Sequence, residues 1–140
     1  MAKHQDYLEY AYLQGKIMPF KDANISIATN GLQYGMGIFG GIKGYKQENG
    51  QIGIFRLDDH IERLRKSAKI LRMPFDFDAK KIKDTFIELT EKNAPQGNVY
   101  YRPFIYRSDI ALSPAVVGDY DMSLYMLNMA DYFDKSRGLK

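Results

Sequence analysis

The sequence contains no cysteine and no tryptophan, and it has only two histidines among its 140 residues. The absence of cysteine excludes disulfide frameworks and metal sites built on thiolates. His4 and His60 are the only imidazoles, and neither belongs to a cluster of His and Glu side chains. We therefore expect no structural or catalytic metal site.

Long apolar runs and blocks of like charge are also missing. No stretch approaches the roughly 18 apolar residues of a membrane-spanning helix, so we expect no membrane span. The segment Met1–Tyr10 is polar and lacks the apolar core of a signal peptide, which favours a cytoplasmic location. The net charge of +3 comes from basic residues interleaved with acidic ones, so we expect no nucleic-acid partner.

What remains has the composition of a globular domain, with 45% hydrophobic and 26% charged residues. Alternating apolar residues and turn signals predict a series of strands. They are Leu8–Leu13, Lys16–Met18, Ile25–Ile27, Gly37–Tyr45, Ile52–Phe55, Val99–Tyr106 and Met122–Met129. Asn49-Gly50 predicts a tight hairpin turn, and Pro103 predicts that its strand lies at an edge or carries a bulge.

Two helices are predicted between these groups of strands. The first is expected to start at an Asp58 or Asp59 cap, to carry an apolar stripe and to stop at Pro74. The second is expected to start after Asp78 and to end at Pro95. The order of elements predicts an α+β domain with a mostly antiparallel sheet and two main helices, spanning residues 1–130. Residues 131–140 are polar and are expected to begin a linker.

A glycine pattern in this sequence resembles a dinucleotide-binding loop. Gly35–Gly40 matches G-x-G-x-x-G, and Asp58 follows at about the expected distance of 20 residues. The fingerprint also needs a buried strand before it and a helix opening at it. The preceding segment 30–34 is polar and a glycine-broken strand follows, so we do not expect nucleotide binding.

Arg63 is the leading candidate for binding an anion. It shares a helical stripe with His60 and Ser67 at the border of the apolar face, from which its guanidinium can reach a cleft. The planar fork of a guanidinium fits a phosphate. The alternative is an ion pair with Asp59 one helical turn away, and periodicity alone favours that alternative.

Tyr100 and Arg102 are expected to point to one face of a strand, because they are two residues apart. An Arg beside a Tyr on a sheet face is a reasonable receptor for a carboxylate, and the alternative is a cross-strand ion pair. Tyr34 and Phe39 flank glycines that would let the backbone approach a ligand. Core packing explains Phe39 equally well.

Three motifs together resemble the N-terminal small domain of fold-type IV pyridoxal-phosphate enzymes, most closely the branched-chain aminotransferases. They are Tyr34-Gly35-Met36-Gly37-Ile38-Phe39, His60-Ile61-Glu62-Arg63-Leu64 with Ser67-Ala68-Lys69, and Tyr100-Tyr101-Arg102-Pro103. The resemblance runs from about Tyr12 to about Met129. It implies that Arg63 binds the cofactor phosphate, that Tyr34 and Phe39 line the substrate side, and that Tyr100 and Arg102 help to recognise substrate carboxylates.

The same resemblance implies an activity and an assembly. The parent enzyme would move an amino group between Leu, Ile or Val and 2-oxoglutarate, using pyridoxal 5'-phosphate. It would be a homo-oligomer in which the loop Arg107–Asp119 reaches the neighbouring active site. D-amino-acid transaminases and aminodeoxychorismate lyases share the earlier motifs but generally lack Tyr-x-Arg-Pro. They stay open as alternatives, as does a non-catalytic domain kept for binding or dimerisation.

The chain departs from the family pattern at two positions and lacks one residue. Gly40 stands where the family usually has Glu, and Lys43 stands where Arg is common. In the family, the lysine that holds the cofactor covalently belongs to a C-terminal domain, and this sequence ends at Lys140. We therefore expect no catalytic lysine among these residues and no transamination by the 140-residue chain alone.

Overall fold

The structure is a computed structural model that describes residues 6–129. In those residues a seven-stranded sheet has the order β2-β1-β7-β6-β4-β5, with β3 paired to β6 beside β4. The strands are β1 Tyr7–Leu13, β2 Lys16–Pro19, β3 Gly37–Phe39, β4 Ile42–Lys46, β5 Ile52–Ile54, β6 Val99–Arg107 and β7 Tyr120–Asn128. The α-helices are α1 Asn30–Tyr34, α2 Leu57–Ile70 and α3 Ala79–Asn93.

Every strand pairing in this sheet is antiparallel, which confirms the predicted α+β class. The two long helices pack together on one face, where their apolar stripes meet alternate residues of β4, β6 and β7. The fully buried side chains of this core include Phe86, Leu64, Tyr101, Leu124 and Met126. The opposite face of the sheet is left open by these two helices.

The chain before β3 differs from the prediction. Residues 25–27 form no strand, because Ser26 turns the chain: its carbonyl accepts from Thr29 N at 3.0 Å and its hydroxyl from Ala28 N at 3.1 Å. The short helix α1 follows, and the sequence pattern did not predict it. Five residues are too few to show a helical period.

The segment predicted as one strand, Gly37–Tyr45, is two strands that pair with different parts of β6. The break falls at Gly40 and Gly41, where Gly40 N donates to Pro103 O at 3.0 Å. Pro103 therefore lies in a central strand, and the prediction of an edge or a bulge is wrong. In an antiparallel strand the N and O of one residue point to the same side, so the missing N–H of Pro103 faces this break. The ladder to β7 loses no hydrogen bond.

The two long helices begin differently. Helix α3 has the predicted cap, with Asp78 Oδ1 accepting from Lys81 N at 3.0 Å. Helix α2 begins at Leu57 after Arg56 in the left-handed region, with a φ of 51°, so Asp58 and Asp59 lie inside its first turn. Those two carboxylates still favour the helix through its dipole.

Candidate functional site

The predicted carboxylate-binding residues lie on the face of the sheet that the helices leave open. Along β6 the odd-numbered residues from Val99 to Ile105 are buried against α2 and α3. Tyr100 and Arg102 alternate with them and are half-buried on the opposite face. The alternation of a strand therefore separates the core from a polar and aromatic surface, as predicted.

The guanidinium of Arg102 is held among aromatic rings. Its central carbon lies 4.6 Å from the ring centroid of Phe39 and 5.4 Å from that of Tyr100. Tyr125 is its register partner on β7; burial raises the pKa of the Tyr125 hydroxyl, and Arg102 opposes that shift by charge and by a hydrogen bond. Within residues 6–129 no carboxylate forms an ion pair with Arg102. The proposed cross-strand ion pair is therefore not observed.

The aromatic residues at this face are accessible. Phe39 has 61% of its surface exposed, so packing in the core does not account for it. Tyr100 lies against Gly41 so closely that a Cβ at position 41 would overlap the Tyr100 hydroxyl. Glycine at this position therefore sets where the Tyr100 ring can stand.

Arg63 is not engaged in the ion pair that was its alternative explanation. The Asp59 carboxylate instead accepts from Arg56 Nε at 2.7 Å. Arg63 Nη2 lies 3.4 Å from His60 Nδ1, and its guanidinium is exposed. Partial burial, then the charge of Arg63, lowers the pKa of the His60 imidazole. The neutral ring can accept from the guanidinium, which leaves the other N–H groups of Arg63 available to an oxyanion.

Glycine also shapes the space beside Arg63. A Cβ at Gly40 would stand 3.2 Å from Pro103 Cγ and 3.8 Å from Arg63 Nη2. The hydrogen of Gly40 therefore leaves a gap of about one methyl group between the backbone and Arg63. Successive residues of an extended chain face opposite sides, so Arg63 and Tyr100 flank the Gly40-Gly41 segment.

The structure thus brings three of the five predicted residues into contact. Phe39, Tyr100 and Arg102 form one cluster, and Arg63 lies across the glycine pair from it. Tyr34 lies on α1, which leads into the far end of β3, and it is 40% exposed. Tyr125 is not among the residues predicted from the sequence, although its place on β7 opposite Arg102 would follow from a correct strand register.

Other kinds of site are not formed by the described residues. Between residues 6 and 129 no group of three His, Asp or Glu side chains is placed to hold a metal ion. No helix of that part of the chain has the length and apolarity to cross a membrane. A cleft of about 490 Å³ lies between the β4–β5 hairpin and α3, and none of the predicted site residues lines it.

Comparison with known proteins agrees with the three motifs. The family described as amino-transferase class IV matches residues 37–136. A probable branched-chain-amino-acid aminotransferase of Synechocystis sp. is 41% identical over 129 residues, which are 90% of this chain and 42% of that protein. Its counterpart in Aquifex aeolicus is 34% identical, over 95% of this chain and 43% of that protein.

The fold agrees with a solved structure as well. The branched-chain amino acid aminotransferase from Thermobaculum terrenum, in its pyridoxal-phosphate form, superposes with a TM-score of 0.74 at 31% identity. The match covers 87% of this chain and 40% of that one. The chain thus spans less than half the length of the relatives it matches.

Proposed function

Because this chain belongs to the amino-transferase class IV family, we propose that it is the small N-terminal domain of a pyridoxal-phosphate-dependent branched-chain aminotransferase. In this proposal residues 1–130 form the domain, and residues 131–140, which lie outside the described part, begin the linker. The whole protein transfers an amino group between Leu, Ile or Val and 2-oxoglutarate.

The observation that carries the proposal is the pairing of Arg102 with aromatic rings on an open sheet face, in a chain 41% identical to a probable enzyme of this class. A guanidinium flanked by rings and without a carboxylate partner among the described residues keeps its fork for a ligand. Substrates of transamination carry one or two carboxylates, which are the anions this fork suits.

The residues present also fit the cofactor's phosphate. Arg63 presents N–H groups that have no partner among residues 6–129, and they lie close to Gly40. A phosphate needs several donors of this kind, and backbone N–H groups near glycine can add to them. When bound, pyridoxal phosphate supplies the carbonyl group that exchanges the amino group and the ring that withdraws electrons. The part of this chain is to bind and orient the phosphate.

On the substrate side, other residues of the chain orient the substrate and exclude water. Arg102 binds a substrate carboxylate, and Tyr100 and Phe39 fix the plane of its guanidinium. Tyr34 and the exposed Phe39 ring offer apolar surface suited to an aliphatic side chain. Lys43 stands where the family commonly has Arg, and it supplies charge without a fork.

An oligomer is part of this proposal. Apolar side chains are exposed around α1 and the segment 108–119, with Leu112 exposed by 89%, Ile27 by 82% and Val117 by 80%. Exposed apolar surface of this kind is typical of protein–protein contacts. We propose that a second copy of the protein covers it. A cytoplasmic location remains a prediction from composition, to be tested by fractionation.

The test is substrate profiling of the full-length gene product with added pyridoxal phosphate. We expect glutamate to form from 2-oxoglutarate with Leu, Ile and Val. Preference for D-alanine, or lyase activity on aminodeoxychorismate, would assign the protein to the other branches of the family. The 140-residue polypeptide serves as a second sample and is expected to give no product above the protein-free rate.

A further inference from the structure

We infer that Arg107 and Asn30 are positioning residues that fix the loop 108–119 and helix α1 as one unit, and thereby hold Tyr34 in place. Neither side chain touches the cluster around Arg102 within the described residues. The inference concerns how the site is held, and it rests on the proposed function only for the role of Tyr34.

Arg107 is the buried anchor of the loop. Its side chain is only 4% exposed, and its guanidinium binds the Asp109 carboxylate through both Nε, at 2.7 Å, and Nη2, at 2.9 Å. Its Nη1 donates to the carbonyls of Ser113, at 3.0 Å, and Ala115. The pKa of the Asp109 carboxyl is lowered, chiefly by the hydrogen bond from Arg107. One side chain thus fixes three points of the loop.

Asn30 binds the same loop from the side of α1. Its carboxamide is fully buried, and Nδ2 donates to the carbonyls of Ala111 at 2.9 Å and Ser113 at 2.7 Å. Its backbone N donates to Asp109 O at 2.9 Å. The Ser113 carbonyl therefore accepts from both Arg107 and Asn30, so this one oxygen couples the end of β6 to the start of α1.

Close backbone packing leaves α1 little freedom. A Cβ at Gly31 would lie 2.9 Å from Arg107 O, so α1 sits directly on the end of β6. Arg107 N donates to Met36 O at 3.0 Å, just after α1. Tyr34 lies between these two attachments, and its position follows from theirs.

A surface loop held in this way has an unusual distribution of side chains. The polar groups that fix it lie inside, while Ile110, Leu112 and Val117 point outward with exposed fractions of 67%, 89% and 80%. The carbonyls of Asp109, Ala111, Ser113 and Ala115 all accept hydrogen bonds from Asn30 or Arg107, which holds the loop and its apolar side chains in one arrangement. Fixing a binding surface in advance reduces the entropy that is lost on binding.

The test uses the full-length gene product and two substitutions that keep side-chain size. Arg107→Lys keeps the charge but loses the fork, and Asn30→Asp replaces the two N–H donors by an oxygen. The matched control is Arg65→Lys, because Arg65 makes an equally short two-point contact with Glu62 on the exposed face of α2.

We expect hydrogen–deuterium exchange to rise at least about tenfold in segments 28–36 and 108–119 of both variants, while α3 and the control stay unchanged. The KM for the amino-acid substrate is expected to rise about five- to tenfold with kcat within about twofold, because Tyr34 is displaced while Arg63 and the cofactor are not. The absorbance of the bound cofactor should not change.

Exchange that stays at the wild-type rate in segment 28–36 of either variant overturns the inference, as does a fall in kcat with an unchanged KM. If Arg107→Lys does not fold, Asn30→Asp decides the question by the same readouts. Failure of the proposed function is a separate result: the wild-type protein would then lack branched-chain transamination, while the exchange measurements would still test the coupling.

Discussion

The guanidinium of Arg102 on β6 lies over the ring of Phe39 at the end of β3, 4.6 Å from its centroid. This contact joins two motifs that are far apart in the sequence. The antiparallel pairing of β3 with β6, in which Phe39 is opposite Phe104, brings them together. The ring limits the orientations of the guanidinium without neutralising its charge.

Substitution of Arg102 should weaken binding of the dicarboxylate more than binding of the cofactor. Arg102→Lys keeps the charge but loses both the fork and the stacking on Phe39. We expect the KM for 2-oxoglutarate to rise by a factor corresponding to about 1.5–3 kcal/mol, with cofactor affinity unchanged. Steady-state kinetics of the full-length protein provide the measurement, with Arg56→Lys as an exposed control. An unchanged KM would remove Arg102 from the carboxylate site.

Substitution of Arg63 should weaken binding of the cofactor more than binding of the dicarboxylate. Arg63→Lys loses the second N–H contact to a phosphate, and we expect cofactor affinity to fall about 10- to 100-fold, the equivalent of about 1.4–2.8 kcal/mol. Titration with pyridoxal phosphate, followed by cofactor absorbance, measures it. Substitution of the neighbouring Arg65 by Lys is the control on the same helix. Equal affinities of wild type and Arg63→Lys would argue against a phosphate at this position.

Substitution by alanine at three glycines should destabilise the fold to different extents. Gly44→Ala should destabilise most, by about 1–3 kcal/mol, because its Cβ would meet Ile52 Cγ2 at 2.7 Å and the buried atoms Tyr101 Cε2 and Val99 Cγ2, each at 2.9 Å. Gly41→Ala should cost less, because the Tyr100 hydroxyl that it displaces ends a side chain that can swing. Gly97→Ala meets nothing within 4 Å and should stay within about 0.5 kcal/mol of wild type.

Urea unfolding measures this series, and a double-mutant cycle tests its cause. If the Tyr100 hydroxyl opposes a methyl group at position 41, then Tyr100→Phe should recover part of the loss caused by Gly41→Ala. Additive effects in this cycle, or a Gly44→Ala protein as stable as Gly97→Ala, would contradict the packing described here.

Alkaline pH should destabilise the fold through Tyr101. Burial raises the pKa of this hydroxyl from 10.0 to about 12, and its partner is Thr90 Oγ1 at 2.7 Å. Because the pKa is higher in the folded state, the neutral hydroxyl of Tyr101 contributes its full stabilisation of the fold below pH 10. That stabilisation is lost as the pH rises to about 12. The loss from this group is about 2–3 kcal/mol.

The measurement is urea unfolding of wild type and Tyr101→Phe between pH 9 and about pH 12. Other titrating groups are the same in both proteins, so they cancel in the difference. We expect Tyr101→Phe to be the less stable protein at pH 9, because Thr90 loses a hydrogen-bond partner. The difference in the free energy of unfolding between the two proteins should narrow or reverse as the pH rises. A constant difference would place the titration of Tyr101 outside this range.

Charge on the exposed loop should disrupt the proposed oligomer. Leu112 is the most exposed of the apolar residues there, and Leu112→Lys adds a charge that would lose solvation in a contact with a second copy. Sedimentation velocity should show the full-length wild type as a dimer or larger and the variant shifted towards monomer. Lys80→Ala on the outer face of α3 should leave the distribution unchanged. A wild type that is monomeric at high concentration would exclude this contact.

The sequence predicts the parts of the fold in which local pattern and packing agree. The amphipathic stripe of α2, the Asp78 cap and the Asn49-Gly50 hairpin all follow from spacing and residue type, and the structure has each of them. The shared face of Tyr100 and Arg102 also follows from strand alternation. The roles of Arg63, Tyr34, Phe39, Tyr100 and Arg102 in binding remain predictions.

The elements that were missed depend on partners distant in sequence. Pro103 is tolerated in a central strand because the break between β3 and β4 lies beside it, and nothing near Pro103 in the sequence shows that break. Asn30 starts a short helix, and its own hydrogen bonds go to carbonyls of residues 109–113. In the sequence, Arg107 is one more charged residue at the end of a strand. Only the structure shows that it is buried and paired with Asp109.

At positions 40 and 41 two adjacent glycines leave only the backbone of the sheet between the helix layer and the open face. Arg63 approaches it from one side and the Tyr100 hydroxyl from the other. A methyl group at position 41 would overlap the Tyr100 hydroxyl and displace that ring, whereas one at position 40 would only reach ordinary contact with Arg63 Nη2 and press more closely on Pro103 Cγ. If Tyr100 binds substrate as proposed, a single methyl group at position 41 would alter substrate preference, with every polar residue left as it is.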